Sequence, residues 1–398
     1  MIKSITTLFI LFLTFLNLPA QENNMQEIIN IIEEIKSGFA PDKRTALFDV
    51  SISGGNDLIV LSGETNLIEA ENELIARLKE KSIMFENNIR LLPSEELGGK
   101  VYGIINLSVA NIRSKHSHSA ELTTQALLGT PVKVLKKDDG FCLVQTPDKY
   151  ISWVDNSGVK LVNKEELEKW INADKIIFNS EYGFSFAEAD INSDRVSDLV
   201  AGDILINLGK ENNFYNVEYP DGRTAFIEAD KCLGLNNWFS EAYPTEENII
   251  STAKKFMGIP YLWGGTSTKG MDCSGFTKTV YFLNGVVLQR DASQQVNTGI
   301  LVDTEKGLDN LKPGDLLFFG FKQTEEKKER ITHVGIYIGN NEFIHASGKV
   351  MINSLNPDAA NFSEYRLKQF IRAKRIINSV DDNGITSIKN NKFYSGEF

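Results

Sequence analysis

The spacing of apolar residues along the chain changes several times, and each change marks a different kind of element. Met25–Ser37 has the three-and-four spacing of an amphipathic helix. Ala46–Ser51 and Leu58–Ser62 read as strands, Leu67–Lys81 as a helix and Ile83–Leu92 as a strand, so residues 21–97 form a small α+β unit. No chemistry is visible in it, and a spacer or docking role stays open. From 98 to 236 the pattern shortens to strand-length runs between polar turns. It also repeats. At an offset of 73, Phe141, Val144, Pro147, Asp148, Trp153 and Val154 match Phe214, Val217, Pro220, Asp221, Phe226 and Ile227. The repeat predicts two small all-β barrels, at 98–163 and 174–236, separated by a helix over Lys164–Ala173. Residues 244–376 carry a helix and then strands, and the mixed-charge run Lys322–Arg330 between two of those strands reads as an exposed loop. From 377 to 398 the chain turns polar and reads as a loosely ordered tail.

At the other end, Met1–Ala20 has Lys3, the apolar run Leu8–Leu18 and then Pro19-Ala20, the layout of a secretory signal. An exported protein, periplasmic or extracellular and without a membrane span once the signal is cut, is the expectation. The net charge of -11 and the lack of a basic stripe argue against a nucleic-acid partner. Three cysteines are few for a secreted chain. If Cys273 stays free, Cys142 and Cys232 could pair, though nothing around them demands it.

The candidate chemistry centres on Tyr261–Phe276, a glycine-rich loop running into Asp272-Cys273-Ser274-Gly275. Phe276, Val280 and Leu283 follow at helical spacing, and Asn284-Gly285 supplies a stop. Cys273 is thus expected in the first turn of a helix, where free N–H groups and the helix dipole favour a thiolate. Such a nucleophile needs a base. Of the four histidines, His333 and His345 lie in strand-like runs on either side of the turn Gly339-Asn340-Asn341. A two-residue turn would put them on opposite faces. A three-residue loop pairs His345 with Gly335 and makes the two histidines diagonal neighbours on one face. The sequence therefore allows Cys273 as nucleophile, His333 as base and His345 orienting it. A zinc site built from the same residues lacks a close fourth ligand, so neither metal nor cofactor is expected.

Tyr-x-Trp-Gly-Gly, Asp-Cys-Ser-Gly-Phe, the Leu311–Phe319 run, His-Val-Gly-Ile-Tyr-Ile-Gly and Phe-Ile-His-Ala-Ser together resemble the NlpC/P60 family of cell-wall cysteine peptidases, over about 245–376. That resemblance implies a multidomain α+β protein with a papain-like catalytic domain at 244–376, acting on amide bonds of peptidoglycan peptides. It also points to the Tyr261 hydroxyl, beside the Cys273 N–H, for oxyanion stabilisation, with Trp263, Asp272 and Ser274 at the groove. Asn111-Ile-Arg113 and Val132-Lys-Val-Leu135 resemble bacterial SH3 domains, so both barrels are expected to be SH3-like.

A branch of the family with two such barrels is similar to the γ-D-glutamyl-L-diamino acid dipeptidyl-peptidases. Its motifs match Ser119-Ala-Glu121-Leu-Thr-Thr-Gln-Ala-Leu-Leu-Gly129, Tyr150 before Trp153, and Arg290-Asp291. Tyr150 also breaks the internal repeat, where the second copy has Arg223. By this resemblance Glu121, Tyr150 and Asp291 receive a substrate ammonium. The chain departs from the branch at Ala292, where a hydroxyl residue is usual. The implied reaction is cleavage between γ-D-Glu and a diamino acid, meso-diaminopimelate or lysine, in murein peptides with a free N-terminal L-Ala. An endopeptidase on intact wall and a non-catalytic wall-binding protein are the rivals.

Overall fold

The computed structural model describes residues 18–55, 58–382 and 384–398, and the chain divides between Leu97 and Gly98 into two units. Most of the expected export signal, residues 1–17, lies outside the described residues. The first unit runs α1 (Leu18–Phe39), β1 (Phe48–Gly55), β2 (Leu58–Thr65), α2 (Ile68–Glu80) and β3 (Phe85–Leu91). β1 and β2 are antiparallel, and β3 lies parallel to β2, as the α2 crossover requires. Ile28, Ile31 and Ile35 of α1 and Leu74 and Leu78 of α2 bury against Phe48, Ile59 and Leu61 of the sheet.

In the second unit the 73-residue offset proves to be a repeat of topology. The first barrel comprises β4 (Tyr102–Ile105), β5 (Val109–Arg113), β6 (Leu122–Leu127), β7 (Pro131–Asp138), β8 (Phe141–Gln145), β9 (Ile151–Asp155) and β10 (Val159–Val162). After α3 (Lys164–Asn172) the second comprises β11 (Lys175–Phe178), β12 (Tyr182–Phe186), β13 (Arg195–Val200), β14 (Ile204–Glu211), β15 (Phe214–Glu218), β16 (Thr224–Glu228) and β17 (Cys232–Gly234). The strand orders β6-β5-β9-β8-β7-β4-β10 and β13-β12-β16-β15-β14-β11-β17 are the same order in two copies. Cys142 and Cys232 sit one in each barrel, buried and unpaired.

The catalytic part begins with α4 (Leu235–Glu241) and α5 (Glu246–Lys255). It continues through the short pair β18 (Thr266–Ser267) and β19 (Gly270–Met271), α6 (Cys273–Phe282), β20 (Val286–Val287), α7 (Ala292–Gln295) and β21 (Ile300–Val302). Then come β22 (Leu316–Phe321), β23 (Arg330–Gly339), β24 (Glu342–Ser347), β25 (Lys349–Ser354), α8 (Glu364–Gln369) and β26 (Phe370–Arg375). The strands form one antiparallel sheet in the order β21-β26-β22-β23-β24-β25. α6 packs on β23 and β24, burying Phe276 and Val280 against Phe318, Val334, Ile336 and Ile344.

One expectation is corrected. Residues 377–398 are not a loose tail. They form β27 (Thr386–Ser387), which pairs with β20, and α9 (Lys392–Ser395). Ile388 packs with Ile177, Trp238 and Val287, and half-buried Tyr394 packs near Phe282. Phe393 stacks on Phe398 at 4.2 Å, and Phe398 meets the edge of Tyr102 at 5.3 Å. Asn391 Nδ2 donates to the Pro147 carbonyl of the first barrel at 3.0 Å. A few apolar anchors, irregularly spaced among polar residues, thus strap both barrels to the catalytic part.

Candidate active site

Asp272 caps α6, with Oδ1 accepting from the Gly275 N–H at 2.7 Å. The first turn of α6 sits so close to the preceding loop that a Cβ on Gly275 would fall 2.0 Å from the Gly265 carbonyl oxygen. Gly264, at φ +80, has the same constraint against the Leu122 carbonyl oxygen of the first barrel, at 2.3 Å. These contacts fix where Cys273 stands, and they explain the glycine-rich approach to it.

Asp272 Oδ2 accepts from the Gly264 N–H (3.0 Å) and from Arg290 Nη2 (2.6 Å), while Arg290 Nη1 reaches Asp272 Oδ1 (3.1 Å) and Ser274 Oγ (3.0 Å). All three residues are buried. Asp272 and Ser274, expected at the groove, are committed to holding the loop, the helix start and Arg290 together.

Cys273 is also buried, and that overrides the helix dipole. Desolvation, with the Asp272 charge behind it, pushes the thiol up to about 11, against weaker stabilisation from the Val334 N–H and Arg290. His333 is held well below the usual imidazole range by burial, the Arg366 charge and His345. Taken alone, each group therefore favours its neutral form.

The hairpin supplies the parity that the sequence allowed. Ile336 pairs with Ile344 and Tyr337 with Phe343, and an irregularity at the turn brings Gly339 opposite Glu342. His345 Cβ then lies against Gly335, and His333 Nε2 stands 2.7 Å from His345 Nδ1. His345 Nε2 in turn meets Asn353 Oδ1 at 2.9 Å, and Asn353 Nδ2 donates to the Asn361 carbonyl at 3.0 Å. That last bond orients the amide, and the orientation fixes every tautomer behind it. Asn353 offers an acceptor, so His345 carries its proton on Nε2. His345 Nδ1 then accepts, so His333 carries its proton on Nε2. His333 Nδ1 is left with a lone pair, the form a general base requires.

Asn353 was not singled out from the sequence, because it lies on a third strand with no pattern linking it to the histidines. Arg366 was missed as well, though its charge bears on Cys273, Tyr261, His333 and His345. Tyr261 is held beside β25 by its N–H to the Gly348 carbonyl (2.9 Å). Burial raises its pKa, so the phenol stays a donor.

Of the expected ammonium-binding residues, Glu121 accepts from the Trp263 indole N–H at 2.7 Å. Trp263 itself is exposed. Tyr150 is buried and Asp291 half-buried, and both bear on Arg290, with Asp291 Oδ1 3.9 Å from Nη1. Neighbouring contacts fasten the first barrel along the loop. Gln125 Oε1 accepts from the Thr266 N–H at 2.9 Å and from Ser267 Oγ at 3.1 Å, and Asp148 pairs with Lys278 of α6. Ala292, buried, offers no hydroxyl beside Asp291.

A thiol at the start of a helix that packs on the strand carrying an imidazole, whose lone pair is freed by a His–Asn relay, is the arrangement of a papain-like cysteine peptidase. Residues 258–371 match the NlpC/P60 family and 108–160 the bacterial SH3 domain. The chain is 28% identical over 262 residues to dipeptidyl-peptidase 6 of Lysinibacillus sphaericus, covering 64% of this chain and 91% of that one. It is 29% identical over 238 residues to the γ-D-glutamyl-L-lysine dipeptidyl-peptidase of Bacillus cereus, covering 58% and 68%. A crystal structure of an NlpC/P60 family protein from Bacillus cereus shares the fold, with a TM-score of 0.58 at 24% identity over 69% of this chain and 99% of that one. Residues 258–371 thus form an NlpC/P60 cysteine-peptidase domain, with a bacterial SH3 domain ahead of it at 108–160.

Proposed function

We propose that this peptidase cuts the amide between γ-D-Glu and the following diamino acid in murein peptides that begin with a free L-Ala, acting in the periplasm or outside the cell. No described helix is long and apolar enough to cross a membrane. The observation that carries the reading is the Glu121–Trp263 hydrogen bond: an acid from the first barrel stands at the Trp-Gly-Gly loop that leads to Cys273. With Tyr150 and Asp291 beside Arg290, it gives that end of the groove acceptors for an ammonium. One relative is named a γ-D-glutamyl-L-lysine dipeptidyl-peptidase and another dipeptidyl-peptidase 6, which supports this reading.

In this mechanism His333 Nδ1 takes the Cys273 proton as sulfur attacks the carbonyl carbon. The Cys273 N–H, which has no intrahelical acceptor, and the Tyr261 hydroxyl steady the oxyanion. The His333 imidazolium returns the proton to the departing amine, leaving a thioester. A water molecule, deprotonated by His333, then releases the L-Ala-γ-D-Glu acid and restores the thiol.

The test is kcat/KM for a peptide with a free amine against its N-acetylated twin. The free peptide should be cut and the acetylated one should not. Glu121→Gln and Asp291→Asn should each lower kcat/KM on the free peptide by about tenfold to a hundredfold, the range for one charged hydrogen bond. Equal cleavage of both peptides by the wild type rejects the reading and favours an endopeptidase.

A further inference from the structure

Arg366 has no task in the scheme above. It lies in the first turn of α8, its N–H bonded to Ser363 Oγ at 3.3 Å. Its guanidinium carbon sits 5.8 Å from the Phe319 ring centroid and 5.3 Å from that of Tyr365. Phe319 is the cross-strand partner of His333, their rings 5.9 Å apart. Nη2 reaches Ser347 Oγ, two residues beyond His345, at 3.4 Å. Among the described residues the guanidinium has no carboxylate partner. The contrast with its neighbours is sharp: Arg290 pairs with Asp272, Arg372 with Glu329 and Arg375 with Asp315. A half-buried guanidinium that spends one N–H on a long hydroxyl contact keeps the rest of its donors for an anion.

The charges also divide along the groove. Arg290, Asp272 and Asp291 cluster on the side reached by the first barrel. Tyr261 feels both Arg290 and Arg366, and Cys273 is a neighbour of both cations, so the nucleophile is near both clusters. A peptide whose ammonium meets the acids at one end and whose carbonyl meets Cys273 sends its leaving group toward Arg366. On the substrate proposed above, that leaving group is a diamino acid. Lysine carries an α-carboxylate, and meso-diaminopimelate carries a second carboxylate on its side chain.

We propose that Arg366 binds a carboxylate of the departing diamino acid and so sets the preference at that position. The proposal rests on the substrate reading, and its test separates the two. Four peptides are needed: L-Ala-γ-D-Glu extended by meso-diaminopimelate or by L-lysine, each with the α-carboxylate free or amidated. The wild type should favour the peptides that hold the recognised carboxylate by about tenfold to a hundredfold in kcat/KM. Arg366→Gln should collapse that preference, and Arg366→Lys, which keeps the charge without the fork, should keep part of it. Collapse of the free-over-amidated ratio identifies the α-carboxylate. Collapse of the diaminopimelate-over-lysine ratio identifies the side-chain carboxylate. If Arg366→Gln slows all four peptides equally, Arg366 acts on the histidines or the fold and the proposal is overturned. If the wild type cuts none of them, the substrate reading has failed. Calorimetric binding of the same four peptides to Cys273→Ala and to Cys273→Ala/Arg366→Gln then decides: carboxylate-dependent affinity lost with Arg366 supports the proposal, and equal affinity overturns it.

Discussion

Asn353 offers the most direct test of the relay, because it touches neither Cys273 nor any expected substrate contact. In Asn353→Ala the acceptor for His345 Nε2–H disappears. His345 can then place its proton on Nδ1, and in that tautomer it no longer accepts from His333. The bond removed is neutral, at 2.9 Å and largely enclosed, so its net worth is about 0.5–1.5 kcal/mol, or roughly two- to tenfold in kcat/KM. His333→Ala removes the base itself and should cost about 10²–10⁴-fold. His345→Gln, which leaves an amide able to accept from His333, should fall between. Asn353→Asp tests the sign: a carboxylate favours a charged His345, whose pKa burial now holds at about 4, so the acid limb of the pH–rate profile should move upward. The assay is kcat/KM from pH 4 to 9 on the free-amine peptide, with circular dichroism to establish folding and ¹⁵N shifts to report the tautomers. A folded Asn353→Ala as inactive as His333→Ala, or an unchanged acid limb in Asn353→Asp, refutes the tautomer assignment.

The thiol, raised to about 11, should be alkylated by iodoacetamide at a rate that climbs through the alkaline range, and a rate already level at pH 7 would show a standing thiolate instead. Because His345 is lowered from 6.5 to about 4 on folding, its contribution to stability is complete above pH 6.5 and is lost as pH falls toward 4; urea titrations across that window should lose up to about 3 kcal/mol, less in His345→Gln. Arg290→Leu leaves Asp272 buried and unpaired and should cost about 3–5 kcal/mol in the same titration, whereas a loss below 1 kcal/mol would show that the pair is not structural.

What the sequence made legible was local. The period-2 alternation through Val334, Ile336 and Ile338, with a glycine–asparagine turn behind it, was enough to propose that two histidines share a face. The helical spacing of Phe276, Val280 and Leu283 was enough to put Cys273 in the first turn of a helix. Direction and burial were not legible. Nothing in Asp272-Cys273-Ser274 says that its flanking side chains turn inward, because the partner that draws them, Arg290, arrives from a separate turn. The thiol shows the same divide: a helix start is visible in a sequence, but the desolvation that pushes the thiol up is a property of the packed core. Asn353 and Arg366 come to the site through strand pairing and a helix docked after it, and no short-range spacing encodes either.

The strap over residues 377–398 has a consequence for how this enzyme comes into being. A growing chain emerges from its N-terminal side, so both barrels and every residue of the Cys–His–His–Asn set are synthesised before Ile388, Asn391 and Tyr394 exist to hold them together. By then the first barrel can already be held to the loop and to α6 through Gln125 and Asp148, and the strap adds its contacts afterwards. The strap is thus the last fastening the chain can make, and the contacts of Gln125 and Asp148 must hold the first barrel until then.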